Sequence, residues 1–190
     1  MYIFGYGSLL SINSAQKTFK RELKQDDFIP VTLQGYEKIW NSIEYIVFEN
    51  EKETKKGIFL NLKKDFKSKT NGILLKISPE EFDFLKLREK SYSCISLNPD
   101  DIIGFKTKEN IYTFITTNKE KIANQGDKNC FIPRKYISLL EEGAKAYEEK
   151  FSKEFIESYQ NFLFDIKDGV YKFSDPIQNK FAKDGLKSES

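Results

Sequence analysis

Two glycines flank a tyrosine near the start of the chain, in the segment Gly5-Tyr6-Gly7-Ser8 that directly follows a strand-like run. Glycine tolerates positive φ angles and lets a ligand come close to the main chain. Successive exposed N–H groups in such a turn can bind an anion such as a carboxylate or a phosphate. The alternative is a tight turn whose glycines only relieve strain. The segment lacks the third glycine of a dinucleotide fingerprint and the Gly-Lys-Ser/Thr of a phosphate loop.

Glu89 is the second residue whose position suggests chemistry. On a helix that starts at Ser78, the residues Phe82, Leu85 and Glu89 are spaced i, i+3 and i+7 and share the inward face. A carboxylate there is either paired with a cation or partly desolvated, and desolvation raises its pKa, as a general base near pH 7 requires. The dipole at the helix C-terminus disfavours an anion, which favours a functional interpretation. A surface ion pair with Arg88 remains the alternative.

The chain contains no histidine, which excludes Ser-His-Asp and Cys-His catalysis and almost every ordinary zinc site. Acid–base chemistry at neutral pH therefore falls to a carboxylate, Lys, Tyr or Cys with a shifted pKa. Ser8 has no histidine to activate it as a nucleophile, and nothing in the sequence singles out a lysine for that role. Cys94 and Cys130 are too few for a disulfide scaffold, and their apolar neighbours predict two buried free thiols.

Composition narrows the classes of partner. Charged residues make up 32% of the 190 residues, but acidic and basic residues alternate and the formal net charge is only +2. This pattern is typical of a solvated surface and argues against a nucleic-acid-binding stripe. No segment approaches the roughly 18 apolar residues of a membrane span, and the N-terminal run does not resemble a secretory signal. We therefore expect a cytoplasmic protein with no membrane or nucleic-acid partner.

Short runs of β-branched and aromatic residues recur through the first two thirds of the chain and predict strands. The runs are Tyr2–Tyr6, Phe28–Leu33, Tyr45–Phe48, Ile58–Leu62, Gly72–Ile77, Tyr92–Leu97 and Ile111–Thr116. Their polar connections favour a mixed α+β fold with a small, mostly antiparallel, barrel-like sheet.

Three helices are predicted beside this sheet. Ser78, Pro79 and Glu81 form an N-terminal signal for a helix that runs to about residue 89. Helical spacing of apolar residues predicts two more helices, at Arg134–Tyr147 and Ser152–Leu163. Beyond about residue 165 the periodicity is lost. Residues 1–165 are therefore expected to form one domain. Residues 166–190 would be an extension that wraps the domain, covers a cleft or ends in disorder.

Four segments follow one another in an order that is found in a known family. They are Phe4-Gly5-Tyr6-Gly7-Ser8-Leu9, Thr70-Asn71-Gly72-Ile73-Leu74-Leu75-Lys76-Ile77, Leu85-Lys86-Leu87-Arg88-Glu89-Lys90-Ser91-Tyr92, and Pro133-Arg134-Lys135-Tyr136 through Glu142-Gly143-Ala144. Together they resemble the γ-glutamylcyclotransferase superfamily, with its AIG2-like and ChaC-like branches, over roughly residues 2 to 160. The first is similar to the family's N-terminal loop, and the third to its catalytic segment. Lys86 departs from the acidic residue that is common in the ChaC-like pattern.

The resemblance implies a γ-glutamylcyclotransferase-like fold and the release of 5-oxoproline from glutathione, a γ-glutamyl amino acid or a γ-glutamyl amine. The substrate's own α-amine would attack its γ-carbonyl, so no enzyme nucleophile, metal or cofactor is required. Glu89 would be the catalytic base and then the acid. The implied substrate-binding residues are Tyr6, Gly7, Ser8, Leu9, Tyr92 and Tyr136. An inactive superfamily member that binds a small carboxylate or amine remains the alternative.

Overall fold

A nine-stranded sheet frames the protein in the computed structural model, which describes residues 1–184. The strands are β1 (Tyr2–Gly5), β2 (Phe28–Phe48), β3 (Lys55–Lys76), β4 (Ser93–Leu97), β5 (Ile102–Ile103), β6 (Ile111–Ile115), β7 (Cys130–Pro133), β8 (Asp165–Lys167) and β9 (Tyr171–Phe173). The main path runs β4-β6-β1-β3-β2-β5, with β7 beside β3, β8 beside β7 and β9 beside β2. Only the β1–β6, β3–β7 and β7–β8 pairs of this described sheet are parallel. The predicted mixed α+β class with a mostly antiparallel, curled sheet is confirmed.

The long hairpin of β2 and β3 replaces four separately predicted strands. Register shifts between Gln34 and Tyr36, where Gly35 has a φ of 79°, and between Trp40 and Ser42 let these strands bend and curl. The segment around residues 63–69 is largely exposed and charged, which is why its sequence suggests loops. The pairing with β2 is interrupted there, because the register steps from Tyr36–Lys64 to Gln34–Lys69 and leaves residues 65–68 as a bulge in β3.

Five α-helices pack around the described sheet: α1 (Ile12–Ala15), α2 (Pro79–Arg88), α3 (Arg134–Ala144), α4 (Glu149–Glu157) and α5 (Pro176–Asn179). The predicted cap of α2 is present, since Ser78 Oγ accepts from the Glu81 N–H and the Glu81 carboxylate accepts from the Ser78 N–H. The predicted helix at Ser152–Leu163 begins earlier and ends at Glu157. The chain beyond it is held by Trp40, whose Nε1 donates a 2.6 Å hydrogen bond to the Tyr159 carbonyl oxygen.

The prediction for the two cysteines is half wrong. Cys130 is buried, but Cys94 is exposed, and both thiols are free. Cys94 lies on β4, an edge strand that pairs only with β6 among the described strands. Alternate residues of such a strand face outward, so apolar neighbours in sequence do not bury this thiol.

The chain beyond residue 165 returns to the sheet. Strand β8 pairs with β7, β9 pairs with β2, and α5 follows and contacts α2. A π-helical turn, Lys180–Asp184, then packs near α1. The expected disorder at the end of the chain concerns residues 185–190, which lie outside the described residues. Among the helices of residues 1–184, none is long and apolar enough to cross a membrane.

Candidate active site

A cavity of about 390 Å³ lies where the loop after β1, the end of α2 and the start of α3 meet. This volume is in the range of about 300–1,000 Å³ that is usual for small-molecule sites. Its wall contains Tyr6, Gly7, Ser8, Leu9, Glu89, Tyr92 and Tyr136. The structure therefore brings the residues indicated by the sequence into one cavity, although they lie up to 130 positions apart in the chain.

The loop after β1 needs its glycines for close packing. Neither Gly5 nor Gly7 is among the glycines with a positive φ. A Cβ at Gly7 would lie 2.8 Å from the hydroxyl oxygen of Tyr136. A Cβ at Gly5 would lie 3.0 Å from the Cβ of Leu9. The loop then enters a short 3₁₀ turn, Ser8–Leu10. In the part of the chain that the structure describes, the N–H groups of Gly7, Ser8 and Leu9 donate no hydrogen bond, so three residues that line the cavity each keep an unused main-chain donor.

Arg88 connects this loop with the end of α2, and its five N–H donors are all used. Nε donates to Oε1 of Glu89 at 3.0 Å. Nη1 donates to the Ser14 carbonyl oxygen at 2.8 Å and to Thr18 Oγ1 at 3.0 Å. Nη2 donates to Ser8 Oγ and to Ser14 Oγ, both at 2.9 Å. With a side chain only 3% exposed, Arg88 acts as a buried hub for the loop, α1 and Glu89. The sequence indicated only its pairing with Glu89, because its other partners lie more than 69 residues upstream.

Glu89 is the C-terminal cap of α2, and its side chain is 17% exposed. Burial raises the pKa of this carboxyl above its ordinary value, while the charge and hydrogen bond of Arg88 act in the opposite direction. The ion pair that sequence left as an alternative is present, but it is enclosed and does not lie on the surface. The result is a carboxylate that is more basic than an exposed glutamate and stands at the wall of a cavity.

Three tyrosines, Tyr6, Tyr92 and Tyr136, complete this part of the wall. Burial raises the pKa of each well above its ordinary value, so their hydroxyls stay protonated at neutral pH. Tyr6 Oη donates a 2.7 Å hydrogen bond to the Phe114 carbonyl oxygen, which fixes the loop against β6. Tyr136 is wedged edge-on against Phe59 and Trp40, with its hydroxyl at Gly7. The rigid ring therefore sets how closely the loop approaches α3.

A second buried carboxylate, that of Glu44 on β2, was not indicated by the sequence. Its side chain is 4% exposed, and its Oε2 lies 3.4 Å from Lys121 Nζ. Its Oε1 has no hydrogen-bond partner among residues 1–184. Burial raises the pKa of Glu44, and its charge in turn contributes to the raised pKa of Tyr92. Glu44 therefore influences the electrostatics of the cavity from behind its wall. In the sequence, Glu44 lies between the apolar residues Ile43 and Tyr45, a pattern that predicts an outward-facing carboxylate.

No protein-family model and no curated protein matches the chain. Solved structures do match it. A structure described as gamma-glutamyl cyclotransferase aligns with 96% of this chain and 98% of its own, at 14% identity and a TM-score of 0.57. An uncharacterized protein from Homo sapiens aligns over the same shares at 15% identity and a TM-score of 0.57. YkqA from Bacillus subtilis aligns at 21% identity and a TM-score of 0.55, with 83% of this chain covering 54% of that one. At these identities the likeness establishes the fold.

Proposed function

We propose that this protein, whose chain has the gamma-glutamyl cyclotransferase fold, is itself a γ-glutamyl cyclotransferase that releases 5-oxoproline from a γ-glutamyl substrate. A shared fold hosts many functions, so the proposal depends on the site. The observation that carries it is that the enclosed carboxylate of Glu89 and the free N–H groups of the loop after β1 line one cavity and are joined through Arg88.

In the proposed reaction the substrate's α-nitrogen attacks its own γ-carbonyl carbon. A C–N bond forms within the new five-membered ring, and the bond from that carbon to the leaving nitrogen breaks. Glu89 takes a proton from the attacking amine and delivers it to the leaving nitrogen. No side chain becomes covalently attached. Well-oriented ring closures reach effective molarities of about 10⁵–10⁸ M, so holding the substrate folded supplies much of the rate.

Main-chain donors of the loop after β1 are proposed to stabilise the negative charge in this reaction. The N–H groups of Gly7, Ser8 and Leu9 are proposed to bind the substrate α-carboxylate or the oxyanion that develops on the γ-carbonyl. A single donor of this kind is worth about 10²–10³ in kcat in other enzymes. Arg88 has no donor left over. It therefore positions Ser8 and Glu89 and does not bind the substrate carboxylate itself.

A panel of γ-glutamyl compounds tests the proposal: glutathione, γ-glutamyl amino acids and γ-glutamyl amines, with 5-oxoproline as the measured product. All share the γ-glutamyl half that the loop and Glu89 are proposed to hold. Release of 5-oxoproline from at least one class supports the proposal. Thermal stabilisation by these compounds with no 5-oxoproline from any of them would instead identify a non-catalytic binding protein.

A further inference from the structure

Gln178 on α5 is a buried polar residue that the proposed reaction does not use. It lines the cavity, and the residue is only 4% exposed. Its main-chain N–H donates to Asp175 Oδ1, but its side-chain amide makes no hydrogen bond within residues 1–184. Buried side-chain amides nearly always have a partner, because leaving a buried donor or acceptor unpaired is unfavourable. The Gln178 amide atoms are not among the fully enclosed unpaired polar atoms of residues 1–184, so they open on the cavity, where a ligand can pair with them.

The position of Gln178 is held by contacts that lead to Glu89. The Asp175 carboxylate caps α5 and also forms a 2.6 Å ion pair with Lys90 Nζ, one residue beyond Glu89. The ring of Phe181, in the turn after α5, stacks on Phe84 of α2 with centroids 6.2 Å apart. These contacts dock α5 against α2. The amide is thus presented to the cavity by a fixed segment.

We infer that Gln178 is a specificity-determining residue that hydrogen-bonds the leaving half of the substrate; this inference rests on the proposed function. The loop after β1 and Glu89 are assigned to the γ-glutamyl half, whereas Gln178 comes from a separate element of the wall. A primary amide donates and accepts at once, which complements a carboxylate or a peptide amide. Lys17 also lines the cavity, is half-buried, and forms no ion pair in the described part of the chain. A cation at this wall favours a leaving group that carries a carboxylate.

Two substrates that differ only in that carboxylate test the inference: γ-glutamylalanine and γ-glutamylethylamine. For the wild type we expect a higher kcat/KM with γ-glutamylalanine. Gln178→Leu should raise KM for γ-glutamylalanine about tenfold, change its kcat by less than about threefold, and leave the kinetics with γ-glutamylethylamine unchanged. A tenfold change corresponds to about 1.4 kcal/mol. Gln178→Glu should raise KM for γ-glutamylalanine further, because the new carboxylate repels the carboxylate of the substrate. Ile177→Ser, at an exposed neighbouring position on α5, is the matched control and should leave kcat and KM unchanged for both substrates.

The same two compounds are titrated calorimetrically into wild type and Gln178→Leu, which measures binding without turnover. If neither these compounds nor glutathione release 5-oxoproline but Gln178→Leu selectively weakens binding of γ-glutamylalanine, the proposed reaction is wrong and the role of Gln178 stands. If 5-oxoproline is released and Gln178→Leu affects both compounds equally or neither, the inference is overturned and the reaction stands. Failure of both compounds to bind or react overturns the inference, and if glutathione also releases no 5-oxoproline, the proposed reaction is overturned as well.

Discussion

Arg88 Nε donates a 3.0 Å hydrogen bond to Oε1 of Glu89, and the two adjacent side chains form an ion pair that is enclosed at the end of α2. A surface ion pair and an inward-facing carboxylate are usually competing interpretations of such a sequence. Here Glu89 is both paired with Arg88 and directed inward, because Arg88 is buried and the ion pair holds the Glu89 carboxylate beside it. Burial raises the pKa of Glu89 and the guanidinium limits the rise, so a proton can be both accepted and returned.

Glu89→Gln should abolish the release of 5-oxoproline. The amide keeps the shape and can still accept from Arg88, but it cannot take a proton. General acid–base catalysis is typically worth about 10²–10⁴ in rate, so we expect a loss in kcat of at least about 10³ because both transfers depend on one group. Glu80→Gln, at an exposed position of the same helix, is the control. Circular dichroism melts should show both variants folded, and residual activity within tenfold of wild type in Glu89→Gln would assign the base elsewhere.

The pH dependence of kcat/KM should report the same carboxyl group. Activity requires the charged form, so it should fall as the pH drops through the pKa of Glu89. Because burial raises that pKa, the acidic limb should lie above the value of about 4.3 that is typical of an exposed glutamate. The profile is measured with a γ-glutamyl substrate over pH 4–8. An acidic limb at or below the ordinary value would contradict the assignment.

Arg88→Met should destabilise the fold strongly. The substitution removes five hydrogen bonds and leaves Ser8, Ser14, Thr18 and the Glu89 carboxylate without their donor. Removing one member of a buried ion pair typically costs about 3–5 kcal/mol of unfolding free energy. Urea unfolding measures the difference. Lys86→Met is the matched control on α2, because its ion pair with Asp83 is exposed and should be worth less than about 1 kcal/mol.

Local signals in the sequence predicted the elements that carry Glu89. The capping residues of α2 predicted where the helix begins. The spacing of Phe82, Leu85 and Glu89 predicted which face of the helix packs inward. The partners of Arg88 could not be predicted, because Ser14 and Thr18 come near it only through tertiary folding. Gln178 was missed for a related reason. Residues 165–182 lack helical or strand periodicity over any useful length, and their place follows from pairing with β2 and β7.

Lys38 should make the stability of the protein depend on pH. Its Nζ is buried, donates to Asn71 and Ser158, and lies 3.7 Å from the centre of the Phe155 ring. Burial lowers the pKa of Lys38 well below its ordinary value. The unfolded chain therefore binds more protons than the fold between the lowered pKa and about 10.4, so stability should rise with pH across that window.

Lys38→Met removes this titration, so the unfolding free energy of the wild type relative to the variant should increase with pH. The slope cannot exceed about 1.4 kcal/mol per pH unit for one proton. Urea unfolding of both proteins between pH 6 and 9.5 measures it, and taking the difference cancels the other titrating groups. Lys150→Met, at an exposed position of α4, should show no such slope. A constant difference between wild type and Lys38→Met across this range would mean that Lys38 is charged in the fold throughout.

Gly7→Ala should impair the site through Tyr136. The new Cβ would lie 2.8 Å from the Tyr136 hydroxyl oxygen, closer than real Cβ contacts allow. The ring cannot yield, because Phe59 and Trp40 pack edge-on against it. We expect a loss of about 1–3 kcal/mol in unfolding free energy, as for other overpacked positions, and a large loss of activity from the displaced loop.

Tyr136→Phe removes the oxygen that the new methyl group would meet, so it provides the matched rescue. In a double-mutant cycle, Gly7→Ala combined with Tyr136→Phe should be more stable than the sum of the two single changes predicts, by at least about 0.5 kcal/mol. Activity separates the two roles of Tyr136. If its hydroxyl also donates to the substrate, the double variant regains stability and remains slow. Strict additivity of the two changes would show that Gly7 and Tyr136 do not press on each other, and the close approach would then not explain why glycine is needed in this loop.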